Sequence, residues 1–297
     1  MSSEAERSDE RPYASGGDFF ASGGNPSASG GEGRRPRRRD PGERLRLIAS
    51  LALEHRDFLE HGRPSGIRAA DIGTDHGYAA LLMLEHESVG RVILTDINEG
   101  PLARARKHLE DSKADPSRWE LRLGNGLEPL ERGEADSVVI AGMGGDLMCD
   151  ILAKDISLSR SFKRYVFQPR RAADTLRHFL VDNNIYIVDE RVCLENGHLC
   201  QIIAAECKRP EVFESFESDI DYEIPPMLLE KAEPEMARFF LEDWRRRLEE
   251  RRDNILKSSD PARDRARLGE TLRRIERVEE LLARCGAGEQ EKGPRYG

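Results

Sequence analysis

The sequence predicts an α/β protein: a doubly wound, mostly parallel sheet of seven strands, with a coiled-coil-like helical hairpin appended at its C-terminal end. Three observations predict it. Between residues 67 and 181, short apolar runs alternate with helix-like stretches, the pattern of parallel strands joined by crossover helices. Two more strand-like runs follow with ENGH between them, which reads as a closing antiparallel hairpin. Beyond about Ser218 the chain turns to long, charged, amphipathic stretches.

Taken in order, residues 1–42 form a Gly/Ser/Arg-rich segment in which ASGG recurs from Ala14, Ala21 and Ala28, with almost no aliphatic residue before Leu45. Such a segment buries too little apolar surface to offset its chain entropy, so disorder is expected. Its end, GRRPRRRD from Gly33 to Asp40, reads either as an electrostatic arm for RNA or as a solvated linker. A first helix is expected from Leu45 to about Glu60. Strands are expected at Ile67–Ile72, Arg91–Thr95, Glu120–Leu123, Ser137–Ala141 and Tyr165–Gln168, with helices at Tyr78–Glu87, Pro101–Leu109, Asp146–Ala153 and Ala172–Val181. The closing hairpin pairs Ile185–Cys193 with Leu199–Cys207, which completes a core domain over residues 43–217. In the hairpin unit, residues 218–286, Phe240, Trp244, Leu248 and Ile255 share a face of one helix and Leu268, Leu272, Ile275 and Leu282 a face of the next. Asp260 is expected to cap the second helix, Pro261 to open it and Gly286 to stop it, leaving residues 287–297 as a flexible tail.

Composition narrows the function. The 297 residues are 35% charged, and no run of about 18 apolar residues exists to span a membrane. A net charge of −9 disfavours nucleic-acid binding over the whole surface while leaving room for local basic patches. The five cysteines form no C-x-x-C pair; Cys193, Cys200 and Cys207 recur every seven residues on predicted strands and read as small hydrophobes rather than metal ligands. No metal is expected. The odd count and the lack of a signal peptide point to the cytoplasm.

Four segments carry candidate chemistry. ADIGTDHGY, ending at Tyr78, is a strand, a tight turn and a helix start, where Gly73 lets backbone approach a ligand. The dinucleotide fingerprint G-x-G-x-x-G fails here, because Asp75 and Tyr78 occupy the second and third glycine positions. A carboxylate beside a pyrophosphate repels it, whereas S-adenosylmethionine carries a sulfonium and an ammonium that Asp71 and Asp75 would attract. In TDINEGPLARA, Asp96 ends the second strand where a carboxylate can accept both ribose hydroxyls; Ile97 and Asn98 follow it, and Asn98 better fits a helix cap. In LGNGLEPL, Asn125 between Gly124 and Gly126 offers a donor and an acceptor to an adenine edge, with the glycines leaving space for the ring. In VVIAGMGGDLM, the loop of Ala141, Gly142, Met143 and Gly144 follows the fourth strand, where ligands cross a parallel sheet; Met143 is either packing or an apolar wall of the site.

Together with FQPRR, these segments resemble, in order and spacing, the bacterial tRNA adenine-N1 methyltransferase family that modifies adenine 22. The resemblance covers about Leu45 to Cys207. It implies the class I methyltransferase fold, S-adenosyl-L-methionine as cofactor and tRNA as partner, and the C-terminal hairpin looks like that family's coiled-coil domain. Two departures stand out: Asn125 where the family usually has Asp, and ENGHLCQII in place of the more usual Gly-Lys-x-Tyr-Glu pattern. Adenine N1 has a free lone pair, so orientation rather than a strong base should supply most of the acceleration. Asp75 and then His76 are the candidates to stabilise the methylated ring or take an N6 proton, against cofactor binding or helix capping. Tyr78 either stacks on a base or packs on the sheet. Arg170 and Arg171 are expected at the same sheet edge, facing RNA. Methyl transfer to another RNA or a small molecule, and a non-catalytic RNA-binding protein with the same fold, remain as alternatives.

Overall fold

A computed structural model describes residues 42–54, 66–211, 216, 218–257 and 261–291. The expectations for residues 1–41, for a first helix continuing to Glu60, for an Asp260 cap and for the last six residues lie outside these. Helix α1 spans Glu43–Leu53 and buries Ile48, Leu51 and Ala52 against the sheet. The sheet is built from β1 (Ile67–Ile72), β2 (Val89–Asp96), β3 (Trp119–Leu123), β4 (Ser137–Met143), β5 (Arg164–Pro169), β6 (Tyr186–Glu195) and β7 (His198–Glu206). Their order is β3-β2-β1-β4-β5-β7-β6, with β7 antiparallel to both neighbours and the remaining pairs parallel. The expected doubly wound sheet with a closing hairpin is therefore the fold. Reversal of strand order about β1 and β4 opens a crevice at their carboxyl ends, where a ligand can reach backbone.

Helices cover both faces. On one, α1, α2 (Tyr78–Leu84) and α3 (Glu99–Asp111) enclose Ala69, Val92, Leu94 and Val139; on the other, α4 (Gly145–Ala153), α5 (Ile156–Ser159) and α6 (Ala173–Asp182) enclose Ile72, Ile140, Tyr165 and Phe167. Strands buried on both sides are rich in apolar residues, as Val138–Ala141 is throughout and Ile67–Ile72 is apart from Arg68 and Asp71. Helix α2 is shorter than the expected Tyr78–Glu87. It stops at Leu84 because Glu85 to Ser88 turn to start β2 early: His86 O accepts from Val89 N at 3.1 Å and Ser88 O from Ile67 N at 2.6 Å.

The hairpin turn is two residues long. Asn196 and Gly197 both lie in the left-handed region, at φ 51° and 78°, which matches the right-handed twist of the strands it joins. After β7 come α7 (Asp219–Glu223) and α8 (Pro226–Lys231), then the long antiparallel pair α9 (Pro234–Leu256) and α10 (Pro261–Glu291). Helix α10 runs through Gly286, so that glycine is not its stop. A third core of Phe240, Leu241, Leu248, Ile275 and Val278 also takes in Val192 of β6, which docks the hairpin on the sheet. Below it, Arg177 of α6 is fully buried and donates to Glu190 Oε1 (2.7 Å), Gln201 Oε1 (2.5 Å) and the Tyr222 carbonyl (2.9 Å), tying α6, β6, β7 and α7 together.

Candidate active site

Backbone hydrogen bonds lace the carboxyl ends of the parallel strands into one edge. Gly73 N and Thr74 N donate to Thr95 O at 2.8 and 3.0 Å, Gly124 N donates to Asp96 O at 2.9 Å, and Arg170 N donates to Met143 O at 2.7 Å. This brings the four sequence segments to a common surface. Gly73 adopts φ 72°, and the methyl of Met143 occupies the space its side chain would need. Met143 is thus the packing residue of the two readings, seated on the first turn.

The glycines divide by what faces them. Gly142 is an extra residue in the register of β4 with β5; it bulges out at φ 77° with no atom within 4 Å of where a Cβ would lie. That is an open approach for a ligand. Gly145, the residue after Gly144, donates to Arg171 O at 2.8 Å, and a Cβ on it would overlap the Ala172 carbonyl. Gly144 lies under the Arg171 side chain. Gly124 and Gly126 do not leave room for a ring as expected: their missing side chains face Pro129 and Ile151, which have already filled the space. The exposed Asn125 instead borders a recess of about 400 Å³ with Leu147, Asp150 and Lys154 beside α4.

Asp71 is buried one residue before the end of β1. Burial pushes its carboxyl up to about 6, and the Thr74 hydroxyl lies close enough to ease that shift but outside hydrogen-bonding geometry. Among the described residues no cation pairs with Asp71, and a desolvated carboxylate in that setting is poised to receive one. Asp96 Oδ1 accepts from the Asn98 N–H at 2.8 Å in a turn just before the helix, and the Asn98 side chain makes no capping bond. One carboxylate oxygen, rather than both, is left for a ribose hydroxyl. Ile97 beside it is 61% exposed, an uncovered apolar surface at the same edge.

Across this edge lies a cleft of about 880 Å³, bounded by Gly73, Asp75, Ala141 and Gly142, by the β6–β7 turn and by α9. Of the three catalytic candidates, Asp75 borders it; it is ion-paired with Arg104 and lies 3.4 Å from His76 Nε2. His76 and Tyr78 are drawn towards α3 instead. His108 donates from Nδ1 to the His76 carbonyl at 2.8 Å, and the Tyr78 ring packs 4.3 Å from that of His108. Arg170 lines the cleft and makes no ion pair among the described residues, while Arg171, also exposed, lies over Gly144 of the β4 loop.

Two parts of the cleft went unseen in the sequence. Arg44 of α1 donates to Glu195 Oε2 at 2.6 Å and to Gln168 Oε1 at 3.1 Å, joining three elements at the cleft wall. Arg44 and Glu195 are 151 positions apart, and nothing local marks either. The second is Phe239 of α9, whose signal is an aromatic one position out of phase with the apolar stripe through Phe240. Among the described residues no cluster of three His, Cys, Asp or Glu side chains could hold a metal, and no helix is long and apolar enough to cross a membrane.

Known proteins share this architecture. A methyltransferase-domain family model matches residues 58–203. The tRNA (adenine(22)-N(1))-methyltransferase of Bacillus subtilis (strain 168) is 29% identical over 224 residues, 74% of this chain and 92% of the relative. The crystal structure of the B. subtilis m1A22 tRNA methyltransferase superposes with a TM-score of 0.68 at 25% identity, covering 81% of this chain and 97% of that one. An M. capricolum structure in complex with S-adenosyl-homocysteine, described as the natural cofactor product, gives 0.61 at 22% identity, covering 82% and 97%.

Proposed function

We propose that the chain is a member of the bacterial tRNA (adenine-22-N1)-methyltransferase family and methylates N1 of adenine 22 in tRNA, using S-adenosyl-L-methionine bound along the Asp71, Gly73, Asp96 and Asn125 edge. The observation that carries the cofactor assignment is Asp71: a buried carboxylate without a cationic partner among the described residues, at the mouth of a turn that rejects a pyrophosphate and suits a cation. Asp96 Oδ2 takes a ribose hydroxyl, Asn125 the adenine edge, and Ile97 offers its uncovered side chain to the ring.

When bound, the cofactor supplies an electrophilic methyl: the N1 lone pair forms the new C–N bond as the S–C bond breaks and its electron pair stays on sulfur. The chain's own part is to orient and to balance charge. Gly142 lets the acceptor ring come close to backbone, so that its N1 can be oriented for transfer. Asp75, held by Arg104, places a carboxylate at the cleft where positive charge develops on the methylated adenine. It serves there as a charge partner, and a nucleophile that needs no deprotonation asks for no base. His76 and Tyr78 support the turn through His108. Arg170 offers its guanidinium to RNA phosphate, and we place the protein in the cytoplasm with its tRNA.

The test is transfer of labelled methyl from S-adenosyl-L-methionine to a pool of unmodified tRNA, followed by mapping of the modified nucleotide. Label in N1-methyladenosine at position 22 is expected. Cofactor binding without label in any RNA defeats the reading, and absence of cofactor binding by calorimetry revives the non-catalytic alternative.

A further inference from the structure

One wall of the cleft comes from outside the sheet. On α9, Phe239, Asp243, Arg246 and Arg247 recur at helical spacing, and all four line the cleft that Ala141 and Gly142 bound from the sheet side. The opposite face of the same helix, Ala237, Phe240, Leu241 and Leu248, is buried in the hairpin core. Phe240 is 1% exposed and its neighbour Phe239 is 46% exposed. Among the described residues lining the cleft two carry rings, Phe239 of α9 and His198 at the start of β7; Phe239 is the apolar one, and the β4 loop and the FQPRR segment contribute none. Asp243 accepts from Arg246 at 2.5 Å and from Arg247 at 2.6 Å, which orders two guanidiniums on the turn following the ring. An uncovered flat apolar ring, flanked by fixed arginines and opening on a wet groove, has the chemistry of a stacking platform for an unpaired base with its phosphates.

We propose that Phe239 is the surface on which the acceptor adenine stacks once it is drawn out of the RNA, so that the appended hairpin gives the acceptor site its apolar aromatic wall. This rests on the reading of the chain as an RNA adenine methyltransferase. A base presented to Gly142 from the α9 side has its second face against Phe239, and Arg246 and Arg247 lie where flanking phosphates pass. Extrusion leaves the base unstacked at a cost of a few kcal/mol, and a ring waiting in the cleft replaces part of what is lost.

The experiment uses the full chain with Phe239→Ala, Phe239→Leu and Phe239→Tyr, assayed on one unmodified tRNA that the wild type methylates. Phe239→Ala is expected to lower kcat/KM by roughly 10- to 100-fold, the size of one base–aromatic stack. S-adenosyl-L-methionine affinity by calorimetry and the melting temperature should stay at wild-type values. Phe239→Tyr should restore most of the activity and Phe239→Leu little of it. With 2-aminopurine at the acceptor position, fluorescence should be quenched on binding wild type and Phe239→Tyr but not Phe239→Ala. Wild-type kcat/KM in Phe239→Ala, or equal rescue by Leu and Tyr, overturns the platform while leaving the methyltransferase reading intact. A wild-type protein that labels no RNA removes both.

Discussion

Replacing Asp71 by asparagine should make the cofactor-free protein more stable at neutral pH and a poorer binder. Its carboxyl, carried from 3.8 to about 6 by burial, is harder to ionise in the folded chain than in the unfolded one. At about 1.36 kcal/mol per pH unit, ionised Asp71 opposes folding by roughly 3 kcal/mol. The raised value fixes the sign. Between pH 3.8 and about 6 the folded protein holds the proton that the unfolded chain has lost, so Asp71's contribution to stability falls as pH rises through that window and stays low above it. Asparagine has no such titration. Urea unfolding of both proteins from pH 4 to 7.5 should therefore show a difference that grows by up to about 3 kcal/mol in favour of Asp71→Asn, whatever constant offset the new amide adds. A bound cation reverses the balance. Wild-type affinity for S-adenosyl-L-methionine should strengthen from pH 5 to 7 with proton release, while Asp71→Asn binds about 10- to 100-fold more weakly and with little pH dependence, the loss of one charge-assisted bond. Parallel stability curves across this range, or unchanged affinity in the variant, would refute the assignment.

Two further outcomes follow from the packing. Gly145→Ala drives a Cβ into the Ala172 carbonyl and should cost several kcal/mol or prevent folding, whereas Gly142→Ala meets open space and should cost only about 1–2 kcal/mol of left-handed strain while reducing methyl transfer; melting temperatures and activity of the pair check the contrast. Arg177→Leu leaves Glu190 buried and unpaired, so chemical denaturation should show a loss of about 3–5 kcal/mol, and Arg177→Leu combined with Glu190→Leu should recover much of it.

Much of the fold was legible because buried parallel strands write themselves as apolar runs: Ile67–Ile72 has the same bounds in sequence and structure. The ligand-bearing edge was legible for the same reason, since strand ends and glycines mark it. What could not be read was which atoms meet which glycine. Gly142 and Gly145 are three residues apart in one motif, yet one faces open space and the other a carbonyl supplied by the β5–α6 connection. Gly124 and Gly126 are filled by Pro129 and by Ile151 of α4, and the second of these partners is set by tertiary packing alone. Tyr78 and His76 looked like site residues because they follow Asp75, but His108 on α3, a helix-surface histidine in the sequence, holds them. Arg44 and Glu195 meet only when α1 packs beside the far end of the sheet.

The outermost strand of the sheet, β6, is also the surface on which the last helices settle. During synthesis all seven strands leave the ribosome before α8 to α10 do. In that interval a ten-residue edge carrying Val192 stands open to other chains. The C-terminal helices thus act as a late cover for a strand that would otherwise recruit neighbours, and a nascent chain halted before Leu228 has a complete sheet that is not yet safe from aggregation.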